Sequence, residues 1–172
     1  MKKIFNAVKF SITAHSGQKR KYTGEDYIIH CLNVASIVSE VANNEGVICA
    51  AILHDTVEDT GVTFDDIAIQ FGGDVAQLVS EVTDVSKKGD GNREKRKEID
   101  RRHISEASKY GKTIKLADLI DNTSTIVEHD KDFAKVYMEE KKRLLEVLGD
   151  SYGDLWWRAN KIVDNYYSEV NK

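Results

Sequence analysis

Apolar residues recur at spacings of three and four along most of the chain, which is the period of a helix with one buried face. The sequence contains no proline, and runs that alternate apolar and polar residues are scarce. This pattern predicts an all-α protein, built as a helical bundle. The predicted helices cover residues 2–16, 27–44, 46–58, 64–71, 73–83, 92–109, 112–128, 132–148 and 153–169.

Local signals at the ends of helices support several of these boundaries. Thr63 and Asp66 form a capping-box pattern before the helix at 64–71, with Asp in place of the usual Glu. Gly61 follows the preceding helix and is a typical helix stop. The stretch SKKGDGN at 86–92 has no helical period, so we predict a mobile loop there.

The helix at 46–58 carries an unusual polar cluster at its end. On a helix of about 100° per residue, His54, Asp55, Glu58 and Asp59 share one arc of about 140°. The opposite side of this helix is mostly apolar. One face is therefore predicted to lie in the core while the other carries three carboxylates and an imidazole.

Carboxylates placed this close together repel one another. Two unit charges 4 Å apart interact by roughly 4 kcal/mol at an effective dielectric constant of 20. Negative charge is also disfavoured at the C-terminal end of a helix. A bound divalent cation would remove this conflict, and a solvated acidic helix face is the alternative interpretation.

Two further segments place polar side chains among apolar ones. Asp118, Asn122 and Thr125 lie on one narrow face of the helix at 112–128, with Lys115 beside them. A lone buried Asp is usually structural, but this stripe also fits a wall of the same cavity. His30 stands among isoleucines and leucine, where it is either a core residue or a ligand.

Length and composition predict one globular domain over residues 1–172, with 41% hydrophobic residues. No apolar run approaches the roughly 20 residues of a membrane span. Residues 1–18 are interpreted as a helix start rather than a signal peptide, because Asn6 and Lys9 interrupt the apolar stretch.

Charge and cysteine content narrow the class of protein further. The two cysteines, Cys31 and Cys49, fit small core residues of a reduced, cytoplasmic protein. The net charge of −4 argues against general binding of DNA or RNA. The segment at 87–102 is locally basic and is either a phosphate-attracting surface or a solvated helix face.

Taken in order, these motifs resemble the HD-domain metal-dependent phosphohydrolases. The closest likeness is to the (p)ppGpp hydrolase domain of the RelA/SpoT-homologue family, in its stand-alone small form. The stretches AHSGQKRKYTGEDYIIH, LHDTVEDT and KLADLIDN carry the likeness, which covers about residues 10–128. The C-terminal helices at 132–169 would serve as scaffold.

The resemblance implies a role for each matching position. A divalent ion, typically Mn²⁺, would be held by His30, His54, Asp55 and Asp118, although these donor types also suit other first-row metals. Glu58 and Asp59 would position or deprotonate the attacking water. The nucleotide would be contacted by Arg20, Lys21, Asn122 and Thr125, with Tyr22 lining the base site and Tyr137 closing the pocket.

The resemblance implies removal of the 3′-pyrophosphate from (p)ppGpp, giving GDP or GTP and pyrophosphate. Two alternatives stay open: hydrolysis of another nucleotide, such as a nucleoside monophosphate or the 2′-phosphate of NADPH, or binding of a nucleotide without cleavage. No synthetase domain is expected in a chain of this length.

Three positions depart from the family pattern. Asp26 and Cys31 stand where the family usually has proline, and Leu119 replaces a basic residue. None of these changes removes a predicted ligand, but Leu119 bears on substrate preference. No role is assigned to His15 from the sequence.

Overall fold

The computed structural model describes residues 1–170, and the prediction of an all-α fold is confirmed. Within that range the chain forms no β-strand, only an isolated antiparallel bridge between Lys19 and Asp26. The helices are α1 (Lys2–Ala14), α2 (Ile28–Ser39), α3 (Glu45–Leu53), α4 (Thr56–Asp59), α5 (Phe64–Phe71), α6 (Gly73–Val82), a 3₁₀ turn (Lys88–Asp90), α7 (Arg93–Ser105), α8 (Lys109–His129), α9 (Lys131–Leu145) and α10 (Gly153–Val170).

The chain divides into two compact units, Met1–Asp84 and the part from Val85 onward. The expected single domain over residues 1–172, whose last two residues lie outside the described part, stays a prediction. No helix in the described part is both long and apolar enough to cross a membrane.

Helix α3 is the centre of the first unit. It packs against α1, α2 and α6, while α5 packs against α6. Every residue of α3 from Cys49 to Leu53 is at least 99% buried. Burial of this helix fixes the position of the polar residues that follow it, because its backbone cannot shift without opening the core.

Helix α2 ends five residues earlier than predicted, at Ser39 rather than residue 44. Residue 44 itself caps the next helix, since the Asn44 side chain accepts hydrogen bonds from the backbone N–H groups of Gly46 and Val47. As the N-cap of α3, Asn44 has an extended backbone (φ −129°, ψ 118°), which cannot continue a helix.

Replacing Asn44 with alanine is expected to lower the free energy of unfolding by about 1 kcal/mol, because two N–H groups of α3 lose their acceptor. The corresponding fall in melting temperature is about 2–4 °C for a chain of this size. Thermal unfolding followed by circular dichroism measures it. Asn43→Ala is the matched control, and an equal loss in both variants would contradict the capping role.

The prediction of one continuous helix over 46–58 is wrong. A turn at His54 and Asp55 separates α3 from the single-turn helix α4. The carbonyls that a continued helix would use accept side-chain donors instead, Ala51 O from His54 Nδ1 at 2.9 Å and Leu53 O from Thr56 Oγ1 at 2.7 Å. The polar residues therefore do not share one regular helical face.

The structure can also be compared with the predictions for the capping box before α5 and the loop at 86–92. The predicted capping box is present, with Thr63 accepting from Asp66 N and Asp66 accepting from Thr63 N. The predicted loop at 86–92 contains a 3₁₀ turn, which Asp90 stabilises by accepting from Lys87 N at 2.6 Å. Its mobility stays a prediction.

In the second unit, α8 packs against α9 and α10 and contributes to the core. Leu119 is completely buried there, as are Ile114 and Leu116 on the same helix. The leucine that departs from the family pattern therefore stands at a core position of this chain.

Candidate metal centre

Three potential ligands come together in the first unit from two different places in the chain. His30 lies in the first turn of α2, while His54 and Asp55 form the turn after α3. Both histidines are at least 97% buried, and the Asp55 side chain is 17% exposed. Packing of α2 against α3 brings these two segments together.

The donor atoms of this cluster converge on one point. His54 Nε2 lies 3.0 Å from Asp55 Oδ2, and His30 Nε2 lies 3.4 Å from the same oxygen. One ligand atom from each residue falls within 4.8 Å of the other two. Metal–ligand bonds of about 2.0–2.2 Å place neighbouring donors about 3 Å apart, so the cluster fits a divalent ion.

The ring orientation of His54 also suits a ligand. Its Nδ1 lies 2.9 Å from the Ala51 carbonyl, which only accepts, so Nδ1 carries the hydrogen. The Nε2 lone pair is then directed at the cluster. A backbone carbonyl that fixes the tautomer of a ligand histidine is a common outer-shell arrangement in metal sites.

Asp55 is ionised in this setting. Burial by itself would raise the pKa of its carboxyl, but when no metal is bound the protonated forms of His54 and His30 outweigh that effect by charge and hydrogen bonding, and hold the pKa well below its usual range. The Tyr27 hydroxyl donates to Asp55 Oδ2 at 2.7 Å and supports the same ionised form. The cluster therefore offers one carboxylate and two imidazoles.

Glu58 and Asp59, the residues predicted to act on the attacking water, are the last two residues of α4, and both carboxylates are exposed. Glu58 Oε2 accepts from the backbone N–H of Asp84 at 3.1 Å. Asp59 Oδ2 accepts from Gln18 Nε2 at 2.8 Å. The two side chains thus have different partners, although they are neighbours in sequence.

The predicted phosphate contacts Arg20 and Lys21, with Tyr22, lie on the turn between the bridged residues Lys19 and Asp26. Arg20 N bonds to the carbonyl of Glu25, while Lys21 Nζ lies 3.0 Å from the Tyr22 hydroxyl. Asp26, at the family's proline position, pairs with Lys19 at 2.6 Å. Contact of this turn with a nucleotide stays a prediction.

The remaining predicted residues lie in the second unit. On α8, Asp118 is 7% exposed, accepts from Asn122 Nδ2 at 2.5 Å and lies 3.5 Å from Lys115 Nζ. Thr125 donates to the Asn122 carbonyl of its own helix at 3.1 Å. Tyr137 is buried on α9. The roles of these four predicted residues as ligand or substrate contacts stay predictions.

A profile of the family described as "HD domain" matches residues 7–144, most of the chain. The chain belongs to the HD domain family. That part of the resemblance seen in the sequence is therefore confirmed.

Several proteins of named activity are similar in sequence to this chain. The chain is 38% identical over 167 residues to a guanosine-3′,5′-bis(diphosphate) 3′-pyrophosphohydrolase from Aquifex aeolicus, covering 94% of this chain and 23% of that protein. It is 39% identical over 123 residues to the Drosophila melanogaster protein of the same name, MESH1, covering 70% and 67%. This chain therefore spans about a quarter of the Aquifex relative and two thirds of the Drosophila one.

A solved structure is similar over almost the whole length. It is described as a metazoan ortholog of SpoT that hydrolyzes ppGpp, with a TM-score of 0.88, 30% identity and 96% coverage of both chains. Agreement at this level extends beyond the HD motif to the helices that surround it.

Sequence reasoning missed three residues beside the HD-family motif. Tyr27 binds Asp55, Gln18 binds Asp59, and His15 lies between them, bonded to Gln18 and stacked on the Tyr27 ring. All three precede His54 and Asp55 by more than 25 positions. The only signal was the family likeness of AHSGQKRKYTGEDYIIH, which contains all three residues but gave no partner for any of them.

Proposed function

We propose that this chain is a metal-dependent hydrolase that removes the 3′-pyrophosphate of (p)ppGpp, releasing GDP or GTP and pyrophosphate. The observation that carries the proposal is the convergence of His30, His54 and Asp55 on one point within an HD-domain chain. The named activity of the relatives supports this choice of substrate.

The metal we propose is Mn²⁺, held by His30, His54 and Asp55. A divalent ion supplies Lewis acidity that makes a water molecule easier to deprotonate near neutral pH. The Nε2 atoms of both buried imidazoles lie beside Asp55, and its ionised carboxylate contributes the charge that favours a cation.

The side chains around the cluster would divide the remaining work. Glu58 or Asp59 would accept a proton from the attacking water, since a carboxylate close to the reacting atoms is a suitable general base. Arg20 and Lys21 would neutralise phosphate charge, and the Arg guanidinium can bind phosphate with two parallel hydrogen bonds. We keep Tyr22, Asn122, Thr125 and Tyr137 as proposed nucleotide contacts.

Asp118 is proposed as a further metal ligand on the strength of the sequence resemblance. We expect Asp118→Ala to weaken Mn²⁺ affinity by about 100-fold or more, because loss of a ligand should cost more than the roughly 10–100-fold of an outer-shell group. Titration with Mn²⁺, followed by the signal of the free ion in electron paramagnetic resonance, measures it. An unchanged affinity with a lowered melting temperature would show that Asp118 is structural.

The substrate is tested by incubating the purified protein and Mn²⁺ with ppGpp, nucleoside monophosphates and NADPH in parallel. We expect pyrophosphate release from ppGpp and no comparable turnover of the others. Cleavage of a different member of the panel would reassign the substrate. Binding of ppGpp by metal-loaded protein without any cleavage would indicate a nucleotide-binding module instead.

Two minor expectations accompany this function. The partner of the chain is a nucleotide rather than DNA or RNA, in keeping with the net charge of −4. A reducing compartment, the cytoplasm, is proposed because Cys31 and Cys49 are both free and buried.

A further inference from the structure

We infer that Gln18, held in place by His15, is a positioning residue for Asp59. The inference rests on the proposed function, since Asp59 matters there as one of the two carboxylates that handle water. Neither His15 nor Gln18 is accounted for by metal binding or by the predicted substrate contacts.

Asp59 needs an external restraint. It is the last residue of α4, a helix of only four residues, and its side chain is exposed. One helical turn has little stability of its own, since nucleation costs more than a single turn returns. An exposed carboxylate at such an end would sample several rotamers unless another group binds it.

The Gln18 side chain supplies that restraint. Its Nε2 donates to Asp59 Oδ2 at 2.8 Å, across 41 positions of sequence. A hydrogen bond to an ionised acceptor is stronger than one between neutral groups. Because a carboxylate only accepts, the amide nitrogen of Gln18 faces Asp59 and its oxygen faces the other way.

His15 fixes the second end of the same amide. Gln18 Oε1 lies 2.8 Å from His15 Nδ1, which therefore carries the hydrogen. Within the described part of the chain, Nε2 of the 96%-buried His15 has no hydrogen-bond partner. The imidazole thus makes its one side-chain hydrogen bond to Gln18, and its ring stacks on Tyr27 with centroids 4.9 Å apart.

The backbone around Gln18 is also fixed. Gln18 N donates to the His15 carbonyl at 3.0 Å, and the Gln18 carbonyl accepts from Tyr27 N at 3.1 Å. Gly17 precedes it with φ +81°, a left-handed conformation that lets the chain turn sharply after α1. Side chain and backbone together make Gln18 a rigid donor aimed at Asp59.

The arrangement also links the two parts of the proposed active site. Tyr27, on which the His15 ring stacks, donates to Asp55 in the metal-binding cluster. Asp59 and Asp55 are therefore each bound by a side chain from the segment 15–27. This segment would keep Asp59, one of the two candidate bases, in a fixed position relative to the metal.

A double-mutant cycle tests whether Gln18 acts through Asp59. We expect Gln18→Ala to lower kcat for ppGpp about tenfold with little change in KM, because a small misplacement of a catalytic group is costly. In an Asp59→Ala background the same change is expected to alter the residual kcat less than twofold. An equal loss in both backgrounds would overturn the inference.

Two further variants separate positioning from general structure. Gln18→Glu keeps the shape and the acceptor for His15 but places a carboxylate against Asp59, so its kcat is expected to fall at least as far as that of Gln18→Ala. Gln70→Ala, a glutamine change on the exposed part of α5, is the matched control and should leave kcat unchanged. Full activity of Gln18→Glu would contradict a role for the donated hydrogen bond.

A readout without turnover keeps this inference separate from the proposed function. The side-chain amide resonances of Gln18, identified by their absence from the Gln18→Ala spectrum, are expected to shift in Asp59→Ala and not in Asp65→Ala. If the wild type cleaves none of the panel, the proposed function fails, and shifted resonances still support restraint of Asp59. Unshifted resonances would overturn the inference whatever the activity.

Discussion

Asp55→Ala is expected to reduce Mn²⁺-dependent hydrolysis of ppGpp by about a thousandfold or more. Asp55 is the carboxylate on which both His30 Nε2 and His54 Nε2 converge, at 3.4 and 3.0 Å. Outer-shell residues of metal sites typically cost about 10–100-fold when removed, so loss of a ligand should cost more. Release of pyrophosphate over time, at saturating and at limiting Mn²⁺, measures the effect.

The same variant should lose metal affinity while keeping its fold. Removal of Asp55 takes the one carboxylate out of the His30–His54–Asp55 cluster, so we expect Mn²⁺ binding to weaken at least as much as turnover. Asp65→Ala, an exposed carboxylate removed from α5, is the matched control and should behave like the wild type. Full Mn²⁺ affinity in Asp55→Ala would show that the metal binds elsewhere.

The sequence predicted the class of fold because the helical period is strong and proline is absent. It did not predict the break at His54–Asp55, since the residues on both sides continue an apolar helical pattern. The break depends on side chains competing for backbone carbonyls, His54 for that of Ala51 and Thr56 for that of Leu53. The spacing of apolar residues along the chain carries no information about such local competition.

The residues of the candidate site, like the fold, could be predicted from the sequence only in part. The family likeness singled out His30, and helix packing places it beside His54 and Asp55 in the structure. The hydrogen bonds from Gln18 and Tyr27 could not be predicted, because each spans 28 or more positions and depends on the turn after α1. A motif names the residues of a site more readily than the side chains that orient them.

Substitution of Glu58 or Asp59 should have a different effect from substitution of a residue in the His30–His54–Asp55 cluster. Glu58→Gln and Asp59→Asn keep the side-chain shape but remove the basic oxygen. A general base contributes about 10²–10⁴ in rate, so we expect the variant that lacks the base to lose at least about a hundredfold in kcat. Loss of the other carboxylate, which orients water without accepting its proton, should cost about tenfold.

Metal affinity distinguishes these variants from Asp55→Ala. Neither Glu58 nor Asp59 belongs to the His30–His54–Asp55 cluster, so both variants should bind Mn²⁺ within about twofold of wild type. The variant with the larger loss of kcat identifies the base. It also identifies the hydrogen bond that orients the base, because Glu58 accepts from Asp84 N and Asp59 accepts from Gln18. If both variants keep full kcat, water activation needs neither carboxylate, and the metal-binding cluster alone would have to account for hydrolysis.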